Sequence, residues 1–275
     1  IIKINMIVWI ASYPKSGNTW VRSFLSNYLN YKYEFDFELL KNIRKFPDQK
    51  LTQQLNNDTS NFINIASNWE TMQDYINLKN STTYLKTHSA LITVNGNKFT
   101  SSANTAGYIY LVRDPRDVIL SLASHLNITI KQALIDMKNE NNFEYLSPKS
   151  KHISTIMSSW DNNYNSWKAC TFVKGIIIKY EDLISDPLKT FSKIINYLNE
   201  INGIKIDDSR VVDCIQNTKF DNLKKIENEK GFAENMNGKF FRKGIAGQWM
   251  KDLDKNIVNQ IEERFEKEMK ELGYI

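Results

Sequence analysis

Lys15 stands in the stretch Ser12-Tyr13-Pro14-Lys15-Ser16-Gly17-Asn18-Thr19-Trp20, whose groups suit an anion. Lysine supplies a point charge, and Ser16, Asn18 and Thr19 add neutral donors. Pro14 stiffens the entry, and Gly17 lets the backbone approach a ligand closely. An apolar run, Met6 to Ala11, precedes the stretch. A helical pattern with Trp20, Phe24, Leu25 and Tyr28 on one face follows it. Strand, tight loop and helix together offer backbone N–H groups and a helix dipole to a phosphate-like group.

A second candidate closes the strand-like run Tyr84-Leu85-Lys86-Thr87-His88. A histidine titrates near pH ~6.5 and is a suitable general base for a hydroxyl at neutral pH. His125 and His152 lack such a setting and are read as surface or hydrogen-bonded core residues. A third candidate is Arg113, where the run Gly107 to Val112 gives way to Asp114, a good N-cap, and Pro115, suited to the first helical position. Arg113 thus stands at the carboxyl end of a strand, where open α/β sheets bind ligands.

The elements that must position these groups alternate along the chain. Strand-like runs cover Ile4–Ala11, Thr83–Lys86, Tyr108–Val112 and Gly175–Lys179. Helical patterns begin near Thr19, at Pro115, before Trp160 and at Pro187 behind Asp186. Another passes through Val211 and Ile215. The last places Ile257, Val258, Ile261, Phe265, Met269 and Leu272 on one stripe. Such alternation predicts an α/β fold, a central parallel sheet flanked by helices, in one domain over 1–275. Residues 34–82 and 126–157 are polar insertions with scattered aromatics (Phe35, Phe37, Phe46, Trp69, Tyr75, Phe143, Tyr145). They are expected to cap the site and choose its substrate.

Composition narrows the function classes. The 275 residues carry 36 basic and 31 acidic side chains, a net charge of +5, which suits an anionic nucleotide but is too weak to argue for nucleic acid. Cys170 and Cys214 form no C-x-x-C pair, so neither a zinc site nor a disulfide framework is indicated. No apolar stretch approaches the roughly 20 residues that span a bilayer, and the first apolar run is too short for a signal peptide. A cytoplasmic protein is expected. The triphosphate-binding loop G-x-x-x-x-G-K-[ST] is not present: Lys15 precedes Gly17, and no glycine stands five residues before it. This disfavours a metal-dependent kinase or GTPase.

The order Pro-Lys-Ser-Gly-x-Thr-Trp at 14–20 resembles the 5′-phosphosulfate loop of sulfotransferases that use 3′-phosphoadenosine-5′-phosphosulfate (PAPS). Arg113 and Ser121, eight residues apart, resemble the family's 3′-phosphate segment. Phe240-Phe241-Arg242-Lys243-Gly244-Ile245-Ala246-Gly247 resembles its C-terminal Arg-Lys-Gly-x-x-Gly loop. The three matches stand in family order across most of the chain, which is identified as a member, of the cytosolic type and bacterial-like.

The resemblance implies sulfuryl transfer from PAPS, as co-substrate, to a hydroxyl of a small alcohol, phenol or sugar. His88 matches the family's base in Lys-Thr-His. Lys15 would meet the bridging oxygen of the leaving phosphate, Lys86 would support that group, and Ser121 would touch the 3′-phosphate and engage Lys15. Cofactor contacts carried over are Lys15, Ser16, Gly17, Asn18, Thr19, Trp20, Arg113, Ser121, Tyr180, Thr218, Phe220, Phe241, Arg242, Lys243 and Gly244. Trp20 and Phe220 would face the adenine, Thr218 would bond the base, and Tyr180 would lie near it. No metal is expected, since lysines and backbone donors take the neutralising role that metals have in phosphoryl transfer. Asn18 departs from the more usual threonine, and Gln248 and Met250 from Gly-Asp-Trp-Lys. The family's short dimerisation segment is absent, so the oligomeric state is open. The alternative is a nucleotide-binding module of the same fold that has lost its chemistry.

Overall fold

A computed structural model describes residues 6–31, 34–55, 57–58, 60–143, 155–235 and 239–275. Tyr145 and His152 lie outside the described residues. The central sheet has five parallel strands: β1 (Ile7–Ser12), β2 (Arg44–Lys45), β3 (Thr83–Thr87), β4 (Thr105–Val112) and β5 (Gly175–Lys179). Their order across the sheet is β2-β3-β1-β4-β5. Every residue of β1 is buried, as a central parallel strand covered on both faces must be. Trp9 and Ala11 join the core on one face, and Val8 and Ile10 join that on the other.

The chain leaves β1, pairs β3 on one side, then crosses to place β4 on the other. This makes a switch point at the carboxyl end of β1, the position where open α/β sheets leave a crevice. Ala11 is level with Thr87 and Ser12 with Leu111, so the loops after β1, β3 and β4 emerge side by side. The residues that expectation singled out follow these ends: the Lys15 loop after β1, His88 after β3, Arg113 after β4 and Tyr180 after β5.

The helices form largely where the sequence places them. Asp114 caps Pro115–Leu126 by accepting from the Arg116 N–H at 2.9 Å, and Asp186 caps Pro187–Asn202 through the Lys189 N–H at 3.0 Å. The C-terminal stripe is not one helix. It breaks at Phe265 (φ −115°) into Lys255–Arg264 and Glu266–Glu271, yet Ile257, Ile261, Phe265 and Met269 all still pack into the core. Two elements carry too few residues for any periodic signal: β2, and a hairpin of Thr93–Val94 with Asn97–Lys98.

The aromatic residues of 34–82 divide between two apolar clusters. Phe46, Trp69, Met72 and Ile76 are buried with Trp9 in the main core. Phe35, Leu39 and Leu40 instead cluster with Leu223, Phe232 and Phe241 beside the C-terminal loop. The two insertions meet where Phe62 packs edge-on against Phe143, 4.9 Å between ring centroids. Among the described residues, no single helix is long and apolar enough to cross a membrane.

Candidate active site

The loop after β1 is shaped by two left-handed residues, Lys15 (φ 67°) and Gly17 (φ 93°), the latter preceding helix Asn18–Leu29. Gly17 is required for a second reason: a Cβ there would lie 2.7 Å from Cδ2 of Tyr180. The ring of Tyr180 therefore floors the loop, and the Arg113 guanidinium carbon lies 4.3 Å from that ring's centroid. Burial pushes the Tyr180 hydroxyl above its ordinary value despite the neighbouring Arg113 charge.

Around this loop several buried polar atoms have no hydrogen-bond partner: Ser16 Oγ, Asn18 Oδ1, Trp20 Nε1 and Arg113 Nε. Buried polar groups are nearly always paired, so orphans gathered on one loop and its neighbour mark a place built for a polar ligand. Asn18 takes a different attitude from a plain phosphate donor. Its Nδ2 turns back to the Ile10 carbonyl at 3.1 Å and the Ser12 hydroxyl at 3.2 Å, bracing the strand end instead.

His88 is buried, with Nδ1 2.9 Å from the carbonyl oxygen of Ser12. Only a protonated Nδ1 can bond a carbonyl, so in neutral imidazole the basic lone pair falls on Nε2. Lys86, two residues earlier on β3, sends Nζ to Glu234 Oε2 at 2.9 Å. The other carboxylate oxygen of Glu234 meets Arg22 Nη1 at 2.7 Å. Burial alone would raise the Glu234 carboxyl, but the Arg22 and Lys86 charges outweigh it and hold it well below the carboxylate range.

Lys15 Nζ stands 3.8 Å from the centroid of Phe240. Burial, then the charges of Lys86 and Arg113, lower its pKa to about 7. Lys15, Ser121 and Arg242 line one polar cleft together with Ser124, His125, Lys239 and Phe240. Helix Pro115–Leu126 thus brings Ser121 to the Lys15 loop, eight residues on from Arg113.

The C-terminal loop is fastened by groups that no motif singled out. Glu227 accepts the N–H groups of Phe240 at 2.6 Å and Phe241 at 3.0 Å. Asp117 accepts those of Gly247 at 2.7 Å and Trp249 at 3.0 Å. Arg113 reaches the Ile245 carbonyl at 3.0 Å and the Lys15 carbonyl at 3.3 Å, joining the two loops. Gly244 (φ 65°) lies on Phe220, where a Cβ would sit 2.2 Å from the ring.

Not every expected contact is presented to a ligand. Thr218 is fully buried, and its hydroxyl donates to the Cys214 carbonyl at 2.7 Å. That is a helix-end bond, which commits the hydroxyl proton and leaves its oxygen as an acceptor. Lys243 is paired with Asp252 at 2.6 Å on the surface. Phe241 is buried in the aromatic cluster, stacked on Phe37, whereas Arg242 is exposed. Trp20 packs edge-on to Tyr180 and Phe191, and Thr19 is buried in the first turn of its helix. Among the described residues, no group of three or more His, Cys, Asp or Glu side chains gathers as a metal site would need.

The family model described as "Sulfotransferase domain" matches residues 6–273. The chain belongs to the sulfotransferase family. It is 23% identical to flavonol 3-sulfotransferase of Flaveria bidentis, over 98% of this chain and 83% of that one. It is 25% identical to sulfotransferase 1E1 of Mus musculus, over 95% and 83% respectively. Its fold matches retinol dehydratase in complex with androsterone and PAP, with a TM-score of 0.61 at 20% identity, covering 96% of this chain and 80% of that one. Mouse sulfotransferase SULT7A1 complexed with PAP gives 0.58 at 18%, covering 96% and 85%. This sulfotransferase is a PAPS-dependent transferase with PAPS as its co-substrate.

Proposed function

We propose that this sulfotransferase moves the sulfuryl group of PAPS to a hydroxyl on a small acceptor, with His88 as general base. The observation that carries the reading is the pairing of His88 Nδ1 with the Ser12 carbonyl, which directs the basic nitrogen of the ring away from β1. PAPS, when bound, supplies the sulfuryl group and a leaving phosphate. His88 Nε2 takes the acceptor's proton as its oxygen attacks, and Lys15 and Lys86 offset the charge growing on the leaving oxygen. Arg113, Ser121 and Arg242 hold the 3′-phosphate, and Trp20, Tyr180 and Phe220 offer aromatic surface to the nucleoside.

The acceptor is read as a hydroxylated organic molecule. Relatives named for flavonols and structures carrying androsterone or retinol favour this class. Contact between the insertions at Phe62 and Phe143, and the reach of Asn142 to the Tyr13 hydroxyl at 3.5 Å, support an acceptor wall built from both. Incubation with PAPS and a pool of alcohols, phenols and oligosaccharides should yield products heavier by one sulfonate. Their absence for every hydroxyl compound, with amines sulfonated instead, would refute the acceptor class.

A further inference from the structure

Arg22 and Lys86 share one anion between them. Arg22 and Lys86 are embedded in a helix and a strand, with side chains 3% and 11% exposed, whereas Glu234 reaches them with a carboxylate side chain 30% exposed. Arg22 is held independently of Glu234, since its Nε and Nη2 both donate to the Ile43 carbonyl, at 3.2 and 3.0 Å. Glu234 also acts on Lys15, whose charge it favours while Lys86, Arg113 and Arg242 oppose it. The same C-terminal region supplies Phe240, whose ring faces the Lys15 ammonium. Both lysines assigned to the leaving group are therefore covered from the C-terminal side.

We propose that Glu234 is a built-in counter-ion that competes with the donor for Lys86: PAPS displaces it on binding, and it returns to Lys86 as PAP leaves. The proposal rests on the assignment of Lys86 to the donor in the functional reading above. Its physical basis is that a lysine ammonium cannot keep a tight bond to a carboxylate and also give its full charge to a phosphosulfate. Arg22 gives Glu234 a place to stay during the exchange, so the carboxylate is not left unpaired. Glu234 would weaken donor binding and speed product release, an effect opposite to that of a residue that merely braces the site.

The test is titration calorimetry of PAP with the full chain, folding being checked by thermal melting. Glu234→Gln should bind PAP roughly 5- to 150-fold more tightly, the range of typical coupling energies, and should release it correspondingly more slowly. The gain should vanish when Lys86→Met is added. If Glu234→Gln does not fold, Arg22→Gln combined with Glu234→Gln removes the pair as a unit and carries the same expectation. Unchanged or weaker PAP binding by a folded variant overturns the proposal. Should Lys86→Met alone leave PAP affinity untouched, the donor-site assignment falls and the proposal with it. If Lys86→Met weakens PAP while loss of the Glu234 charge fails to strengthen it, the assignment stands and only the exchange is refuted.

Discussion

The Nδ1 atom of His88 lies 2.9 Å from the main-chain oxygen of Ser12 and 3.2 Å from its hydroxyl. The base proposed for the acceptor and the strand feeding the Lys15 loop are thus joined by one bond. His88→Ala should lower turnover by roughly 10²–10⁴-fold, the usual contribution of a general base. PAP affinity, measured by calorimetry, should change little. A His88→Ala enzyme with near-normal turnover on its best acceptor would place the base elsewhere.

Lys15 carries a pH signature. Burial and the neighbouring cations lower its pKa to about 7, against 10.5 for an ordinary lysine. Above this value the loop loses its charge, so PAP should bind more weakly as pH rises from about 7 to 9, by roughly 5- to 30-fold if one charge-assisted contact is lost. Binding near pH ~8 should take up a proton, visible as a buffer-dependent enthalpy, and Lys15→Met should remove both effects. Linkage gives the stability sign. Between about 7 and 10.5 the unfolded chain holds a proton here that the folded chain does not. This group's contribution therefore makes the protein more stable as pH rises through that window.

Asp117 spends both carboxylate oxygens on the N–H groups of Gly247 and Trp249. An amide offers only one acceptor oxygen, so Asp117→Asn turns an NH2 toward one of those donors. Hydrogen bonds to a charged group contribute about 1.5–3 kcal/mol. PAP affinity should fall about tenfold and the melting temperature should drop. An unaltered Kd would show that the loop holds its place without Asp117.

Gly244→Ala faces two penalties together: a left-handed backbone, and a Cβ driven into the Phe220 ring. Strain of this type costs about 1–3 kcal/mol, so PAP should bind roughly 5- to 100-fold more weakly. Far-ultraviolet circular dichroism should stay close to that of the parent. Wild-type affinity would mean that Phe220 moves aside freely and is no adenine platform.

What could be read in advance was whatever local chemistry announces. Asp114-Pro115 and Asp186-Pro187 mark helix starts through their own side chains, and the Lys15 loop declares its anion affinity in a few consecutive residues. Glu227, Asp117, Glu234 and Arg22 were invisible because each acts on a residue distant in sequence, through backbone groups that every residue carries or ion pairs that no spacing predicts. Trp69 misled in the opposite sense. It sits in a polar, Asn- and Gln-rich stretch yet is fully buried against Phe62 and Phe99. The break at Phe265 escaped because a helical stripe keeps its periodicity across a bend.

His88, the Lys15 loop, Arg113 and Tyr180 follow β3, β1, β4 and β5, strands adjacent in the sheet. Neighbouring strands lie about 4.7–4.9 Å apart whatever their side chains. The spacing between the proposed base, the proposed leaving-group cation and the residues proposed to clamp the nucleotide is therefore set by main-chain pairing, like teeth on a comb. Substitution can blunt a tooth but cannot shift it sideways. Under the proposed acceptor wall, divergence toward new acceptors is left to the insertions between the strands, and a designer who regrafts those insertions inherits the strand spacing unaltered.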